Sequence, residues 1–415
     1  MRVGFLFNHD QVHQVAHGIP IALALARKRT GAEIIICTTS NRLSQEVRLL
    51  AGPAIDRDVR LVELKLGRPL TRGMDAIAGR LIPSAKLLIY RDCLDFFRTL
   101  DVLVVPEKTS LILKSHFRLN RLKIIHTRHG AGDRAIGFDR ASAGFDHVLA
   151  AGAKIRDRLV RDAGVSPEKI SIVGYPKFDV FSAVPATPRR NGRITVVYNP
   201  HVAPHLSSWY RLGPKILQWF AAHPHYDVIF APHIMLFERR LAVTIQPPGI
   251  ARVGKVPKHL ANAPNIFVDL HSRALTTMEY LNRADIYIGD ASSQAYEFML
   301  RPRPCIFFDA HRFRWEGNPN FAHWQAGRVL TGVDELQSSL EGAFDDHDRQ
   351  YSEVQQNLLR YTFDLSATPS SDRAAQAIID VAFAGLTHRQ PRIASAARSD
   401  APRALVPSAA AASFI

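Results

Sequence analysis

Cysteine is scarce in this sequence. Its three residues, Cys37, Cys93 and Cys305, are too few for a disulfide framework and include no CxxC pair for zinc. A reducing, cytoplasmic compartment suits such a chain. Long apolar runs are missing as well. One long uncharged stretch, Gln11 to Ala26, contains His13, His17, Gly18 and Pro20. It falls short of the roughly 20 apolar residues that span a bilayer. The opening run Val3-Gly4-Phe5-Leu6-Phe7 is too short for a signal peptide and has no small-residue cleavage site. The chain is therefore expected neither to cross a membrane nor to be exported by that route. No GxxxxGK[ST] loop and no GxGxxG fingerprint occurs, which argues against kinase and dinucleotide chemistry. No paired-carboxylate motif for glycoside hydrolysis and no DxD-type metal site stands out.

What is present is an ordinary globular balance. Hydrophobic residues make up 47% and charged residues 22% of 415 residues. That composition excludes general disorder, collagen and coiled coil, and the length calls for more than one core. The net charge is +15, from 53 Lys and Arg against 38 Asp and Glu. Residues 1–180 hold 29 basic and 18 acidic side chains. Such an excess attracts nucleic acid, anionic lipid surfaces or polyanionic substrates.

Short, β-branched, fully apolar runs alternate with helical patterns in the front half. They predict strands at Val3–Phe7, Glu33–Thr38, Val59–Leu64, Val102–Val105, Lys123–His126, His147–Ala150 and Ile170–Val173, with helices at Ile19–Arg29, Arg42–Leu50, Ala76–Leu100 and Ala153–Asp162. A Pro/Arg/Gly stretch at 184–192 reads as a linker, after which the pattern restarts. Strands are predicted at Ile194–Tyr198, Val228–Phe230, Ile266–Asp269, Ile286–Gly289 and Cys305–Phe308. The expected fold class is α/β, with two doubly wound, Rossmann-like parallel-sheet domains facing an interdomain cleft. Their expected bounds are 1–183 and 193–386, followed by a disordered basic tail, 387–415.

In such sheets ligands collect beyond the carboxyl ends of the strands. Ala231-Pro232-His233 follows one strand, Asn199-Pro200-His201 another, and Arg128-His129-Gly130 a third. Histidine is suited to proton transfer near neutral pH, and three at corresponding strand ends point to function more than one would. Arg128 and Arg134 would keep His129 neutral and draw in an anionic acceptor. After Ile286–Gly289, Ser292 and Ser293 open a helix. Their hydroxyls and free N–H groups suit phosphate oxygens, although Ser-Ser is also an ordinary cap. Glu297, one turn further, can accept from ribose hydroxyls. His9, His13 and His17 recur every four residues, but no carboxylate partner is evident and Gly18 and Pro20 disturb a helix there. That segment is expected to border the acceptor side rather than bind a metal.

These residues resemble a family, the CDP-glycerol glycerophosphotransferases, which include teichoic-acid polymerases and have the glycosyltransferase-B (GT-B) fold. Its His-Gly element is similar to His129-Gly130. Its G-x-P-[R/K]-x-D element is similar to Gly174, Pro176, Lys177 and Asp179. Its D-x-S-S-x-x-x-[D/E] element is similar to Asp290, Ser292, Ser293 and Glu297. The family commonly has Thr-Pro after His-Gly, whereas here Ala131-Gly132-Asp133-Arg134 follows. That run also resembles the His-x-x-Ala-Gly-x-Arg run of UDP-N-acetylglucosamine 2-epimerases.

The resemblance implies a cytoplasmic transferase at the inner face of the membrane. It would move glycerol phosphate, or a related polyol phosphate, from a CDP-activated donor to a glycan or lipid-linked hydroxyl. His129 and His233 would be catalytic. Ser292, Ser293, Glu297, Asn199 and His201 would hold the nucleotide and phosphates, and Arg128, Arg134 and His9 would face the acceptor. No metal, no cofactor and no nucleic-acid partner is expected. Two alternatives stay open: a GT-B glycosyltransferase or 2-epimerase using a UDP-sugar, and a non-catalytic basic module that binds membrane glycans.

Overall fold

The computed structural model describes residues 1–8, 11–67, 84–182, 192–245 and 248–383. Seven strands form the first sheet: β1 (Arg2–Phe7), β2 (Glu33–Thr38), β3 (Arg60–Glu63), β4 (Val102–Val105), β5 (Lys123–His126), β6 (His147–Ala150) and β7 (Ile170–Ile172). Their order is β3-β2-β1-β4-β5-β6-β7, and every neighbouring pair is parallel. The second sheet is built from β8 (Ile194–Asn199), β9 (Tyr226–Phe230), β12 (Ile266–Val268), β13 (Ile286–Gly289), β14 (Cys305–Phe308) and β15 (Arg328–Leu330). Its order is β12-β9-β8-β13-β14-β15, again all parallel. β10 (Leu241–Ile245) and β11 (Pro248–Arg252) pair only with each other, as an antiparallel hairpin. Central strands such as β4, β6, β13 and β14 are buried along their whole length, because helices cover both faces of each sheet.

The helix after β1 runs from Val15 to Arg27, through Gly18 and Pro20, where the sequence suggested disruption. A Cβ on Gly18 would come within 2.7 Å of the Phe7 ring, so glycine is what lets this helix lie against β1. Pro20 forgoes one hydrogen bond near the helix start, a cost that burial of Val15, Ile19, Ile21 and Leu25 offsets. Of the predicted helix Ala76–Leu100, the described part is Ser84–Asp92 and Leu94–Arg98, interrupted at Cys93. β15 and the hairpin were not foreseen.

The closing helix, Ser370–Phe383, packs on Val15–Arg27 and on β6. Ala374, Ala375 and Ile378 share a core with Val3, Phe5 and Ile34. Division by chain order at 193–386 therefore separates this helix from the sheet whose core it completes. Asp179 fixes its start by accepting the N–H groups of Ser370 and Ser371 at 3.2 and 2.7 Å. Among the described residues no helix is long and apolar enough to cross a membrane. The tail 387–415 and most of the predicted linker lie outside the described residues.

The sheets are joined by a buried carboxylate. Asp133, in the loop after β5, accepts from Lys154 Nζ at 2.7 Å, from the Tyr296 hydroxyl at 2.9 Å, and from the His323 backbone N–H at 3.0 Å and ring Nδ1 at 2.8 Å. Tyr296 and His323 come from the second half of the chain, so this one side chain spans the junction. Burial pushes the Asp133 carboxyl up, but Lys154 and His323 more than offset it and hold it well below the usual carboxylate range. Burial draws the Lys154 ammonium down to about 8 despite its partner. Both groups are therefore charged at neutral pH. Asp133→Ala would strand a buried ammonium and should cost about 3–5 kcal/mol. Urea denaturation of this variant should show a much lower midpoint; an unchanged midpoint would show that the junction is dispensable.

Candidate functional site

Strand order reverses at β1/β4 in the first sheet and at β8/β13 in the second, and crevices open at such reversals. Here both open into one cavity of about 770 Å³. From the first sheet it is lined by His13 and His17 after β1, Glu107 and Lys108 after β4, and Arg128, His129, Gly130 and Arg134 after β5. From the second it is lined by His201 after β8, His233 after β9, and Ser292, Ser293 and Glu297 after β13. The three strand-end histidines singled out from sequence thus meet in one place. His13 joins them: its ring centroid is 5.9 Å from that of His129 and 6.0 Å from that of His233, and His201 lies 5.8 Å from His233.

The hydrogen bonds of these rings assign their protons. His129 Nδ1 faces the Pro106 carbonyl at 2.7 Å. A carbonyl can only accept, so Nδ1 carries a proton, and in the neutral ring Nε2 presents a lone pair. That Nε2 lies 3.4 Å from the Gln14 amide nitrogen. His201 is the reverse case: its Nδ1 accepts the Ala203 N–H at 2.9 Å. His233 Nδ1 likewise accepts the Met235 N–H, at 3.3 Å. Both neutral rings therefore carry their proton on Nε2. One cavity thus gathers one ring protonated on Nδ1 and two rings with Nε2–H groups.

The cavity also disfavours imidazolium. Burial, then the charge of Arg134 and the proximity of the titratable His129, lowers His233 to about 4. Burial followed by Arg134 and His233 takes His201 well below its usual value. Burial, then His129 and His233, does the same to His13. His17 is lowered by burial and by Lys177.

Arg134 makes no ion pair or side-chain hydrogen bond among the described residues, although burial lowers its guanidinium below the usual arginine range. An unpaired guanidinium lining a cavity is suited to an incoming anion. Arg128 is committed elsewhere. Its guanidinium donates to the Gly137 carbonyl at 2.7 Å and lies 4.6 Å over the Phe138 ring, so it holds the loop.

Gly130 shows why this loop needs glycine. Its φ is +78°, a left-handed conformation that side chains disfavour. A Cβ there would lie 3.2 Å from Ser293 Oγ. The His129 loop therefore abuts the Ser292–Ser293 turn across the cleft. Ser292 Oγ accepts the Gln294 N–H at 3.2 Å, so it is partly the ordinary cap, whereas Ser293 makes no such bond. The helix that follows, Gln294–Phe298, is short, so the turn offers hydroxyls rather than a sustained dipole.

Other residues do not stand as the sequence suggested. Asn199 is buried and does not line the cavity; its amide donates to the Ala231 carbonyl at 2.6 Å and its oxygen accepts from the Tyr287 hydroxyl at 3.2 Å. It ties strand ends together because its side chain points along the sheet, away from the crevice. Glu297 lines the cavity with both oxygens engaged, by Lys177 at 2.7 Å and by the Tyr175 hydroxyl at 2.9 Å. Asp290 accepts the N–H groups of His201 and Ser208 at 2.8 and 3.0 Å, and burial pushes its carboxyl up to about 7. It shapes the His201 loop. His9 lies outside the described residues. Among the described residues no cluster of three or more His, Cys, Asp or Glu is arranged to hold a metal. The parts missed from sequence were the roles of His13, Gln14, Tyr175 and Lys177. The i,i+4 spacing of His13 and His17 directly after β1 was the available signal.

No protein-family profile and no curated protein sequence matches this chain. Solved structures do. A teichoic-acid polymerase, TagF, superposes with TM-score 0.58 at 14% identity, over 94% of this chain and 90% of that one. A UDP-N-acetylglucosamine 2-epimerase gives 0.57 at 12%, over 97% and 99%. A protein of Listeria monocytogenes assigned as such an epimerase gives 0.54 at 13%, over 94% and 97%. With its two parallel sheets, the chain has a two-domain, Rossmann-like GT-B fold.

The neutral histidines predict a pH dependence of stability. Their folded values lie below the unfolded value of 6.5, so the unfolded chain binds more protons in that window. Stability should fall as pH drops from 6.5 towards 4, by on the order of 3 kcal/mol for His233 alone. Denaturant midpoints measured from pH 7 to pH 4 would show this slope, and His233→Gln should flatten it. A flat profile in the unmodified protein would contradict a neutral, buried cluster.

Proposed function

We propose that this protein is a transferase that uses a nucleotide-activated donor, with CDP-glycerol or a related CDP-polyol as the first choice. The observation that carries the reading is the tautomer arrangement: one imidazole with its proton on Nδ1, and two with Nε2–H, facing one cavity with an unpaired arginine. A transfer reaction needs a base for the acceptor and donors for the phosphates.

His129 Nε2 would take the proton of the acceptor hydroxyl as its oxygen attacks the phosphorus of the transferred glycerol phosphate. The bond from that phosphorus to the bridging oxygen breaks, and CMP leaves with the electron pair. Arg134, the Nε2–H groups of His201 and His233, and the Ser293 hydroxyl would receive the charge gathering on the phosphates. Glu297 has lone pairs left for a ribose hydroxyl beyond those used by Lys177 and Tyr175. The acceptor would be a glycan or lipid-linked hydroxyl on the first-sheet side, presented at the inner membrane face.

A UDP-sugar is the competing donor. It is favoured by Arg134, the arginine of the run that resembles the 2-epimerases, which stands in the cavity. Incubation with CDP-glycerol and with UDP-sugars, with detection of CMP or UDP, separates the two readings. Absence of nucleotide release from every donor would favour the non-catalytic module.

With the active donor, His129→Ala should lose about 10²–10⁴-fold in turnover and retain donor affinity. His233→Ala should impair both. Near-normal turnover in His129→Asn would remove the base assignment. Ser293→Ala should weaken nucleotide binding roughly tenfold by calorimetry, without a change in stability. Glu297→Ala is expected to lower stability as well as affinity, because it strands Lys177.

A further inference from the structure

The hairpin of β10 and β11 stands outside both sheets, and its two faces are inverted. Ala242, Thr244 and Ala251 face the body and are partly buried, whereas Leu241, Val243 and Ile250 face outward. Their exposures are 51, 69 and 74%, the last two being the highest among the exposed large apolar side chains of the described residues. Val243 and Ile250 are directly paired across the strands, and Leu241 is paired with Arg252, so the outward side chains share one face. A strand that serves only its own fold would turn its large apolar residues inward. The base is rigidly held: Trp209 Nε1–H donates to the Val253 carbonyl at 2.8 Å, and the Val253 N–H to the Arg240 carbonyl at 3.1 Å.

The surroundings are cationic. Arg239, Arg240, Arg252, Lys255 and Lys258 are all exposed and make no ion pair or side-chain hydrogen bond among the described residues. No Asp or Glu occurs from Arg239 to Val268. The neighbouring Glu238 is engaged by Arg42 at 3.2 Å. A large apolar face rimmed by unpaired cations matches the interfacial region of an anionic bilayer, which offers acyl carbon beneath a layer of phosphate. It does not match a second copy of this chain, which would set five cations against five. Val243 also lines the cavity, so the face is continuous with the cleft mouth.

We propose that the outer face of β10 and β11 seats the protein on an anionic lipid bilayer, with Leu241, Val243 and Ile250 in the interface and the surrounding arginines and lysines on the headgroups. The seat lies on the second-sheet side, although the larger charge excess lies in the first half of the sequence. This deepens the membrane-facing part of the functional reading and rests on it. Nucleotide release without vesicles reads the cleft, whereas vesicle binding reads the hairpin, so the two can fail separately.

The test is co-sedimentation of the full chain with vesicles of phosphatidylcholine plus phosphatidylglycerol, and of phosphatidylcholine alone, at low and high salt. Binding should require phosphatidylglycerol and fade as salt rises. L241S/I250S should weaken it roughly tenfold or more, because two apolar side chains leave the interface. R239Q/R240Q/R252Q should weaken it roughly a hundredfold at low salt and flatten the salt dependence. The proposal is overturned if the unmodified chain does not bind, if binding ignores lipid charge, or if L241S/I250S binds as well as the unmodified chain. It is equally overturned if sedimentation shows an oligomer that L241S/I250S converts to a monomer, since the face would then join copies.

Discussion

A cleft between two separate sheets is useful only if the sheets are held in register, and here a few buried charges hold them. Asp133 gathers Lys154 from its own side and Tyr296 and His323 from the other. Lys177 and Glu297 make a second buried bridge across the same junction. Apolar contact alone is tolerant of sliding, whereas a buried ion pair strongly disfavours any arrangement that strands one partner. The alignment of the His129 loop with the Ser293 turn, at a distance that leaves little room for a Cβ on Gly130 or Gly132, depends on this junction.

The cavity divides one chemical type into two roles through backbone contacts. A carbonyl opposite Nδ1 makes His129 an acceptor, and N–H groups opposite Nδ1 make His201 and His233 donors. Desolvation and the nearby Arg134 keep His201 and His233 neutral, which preserves their donor role at physiological pH. Arg134 adds a fixed positive charge without quenching it on a local carboxylate. That arrangement is the basis of the transfer reaction proposed above. A simple anion site would need neither an imidazole protonated on Nδ1 nor its opposition to two Nε2–H donors.

The motifs that resemble the glycerophosphotransferases divide between the cavity lining and the architecture around it. His129, Gly130 and Ser293 face the cavity. Asp179 caps the returning helix, and Asp290 holds the His201 loop. Tyr175 and Lys177 connect the first of these elements to Glu297 in the other. Residues of a short motif can thus serve the junction as much as the ligand, since the cleft exists only where the junction closes.

The strands were legible in the sequence because parallel strands covered on both faces must be short, apolar and β-branched; β2, β4, β5, β6, β13 and β14 have the predicted bounds. The histidines at strand ends were legible for the same reason, as the switch from apolar to polar marks where a sheet opens. β15 and the hairpin were not, since a three-residue edge strand and an outward-facing apolar strand lack that signal. Which nitrogen of each histidine bears the proton, the diversion of Asn199 into the sheet, the pairing of Glu297 with Lys177 and the return of the closing helix to the first sheet were decided only by tertiary structure. Each depends on a partner at least 23 positions away, or on a backbone group whose orientation the fold alone sets, and local sequence carries no record of such distances.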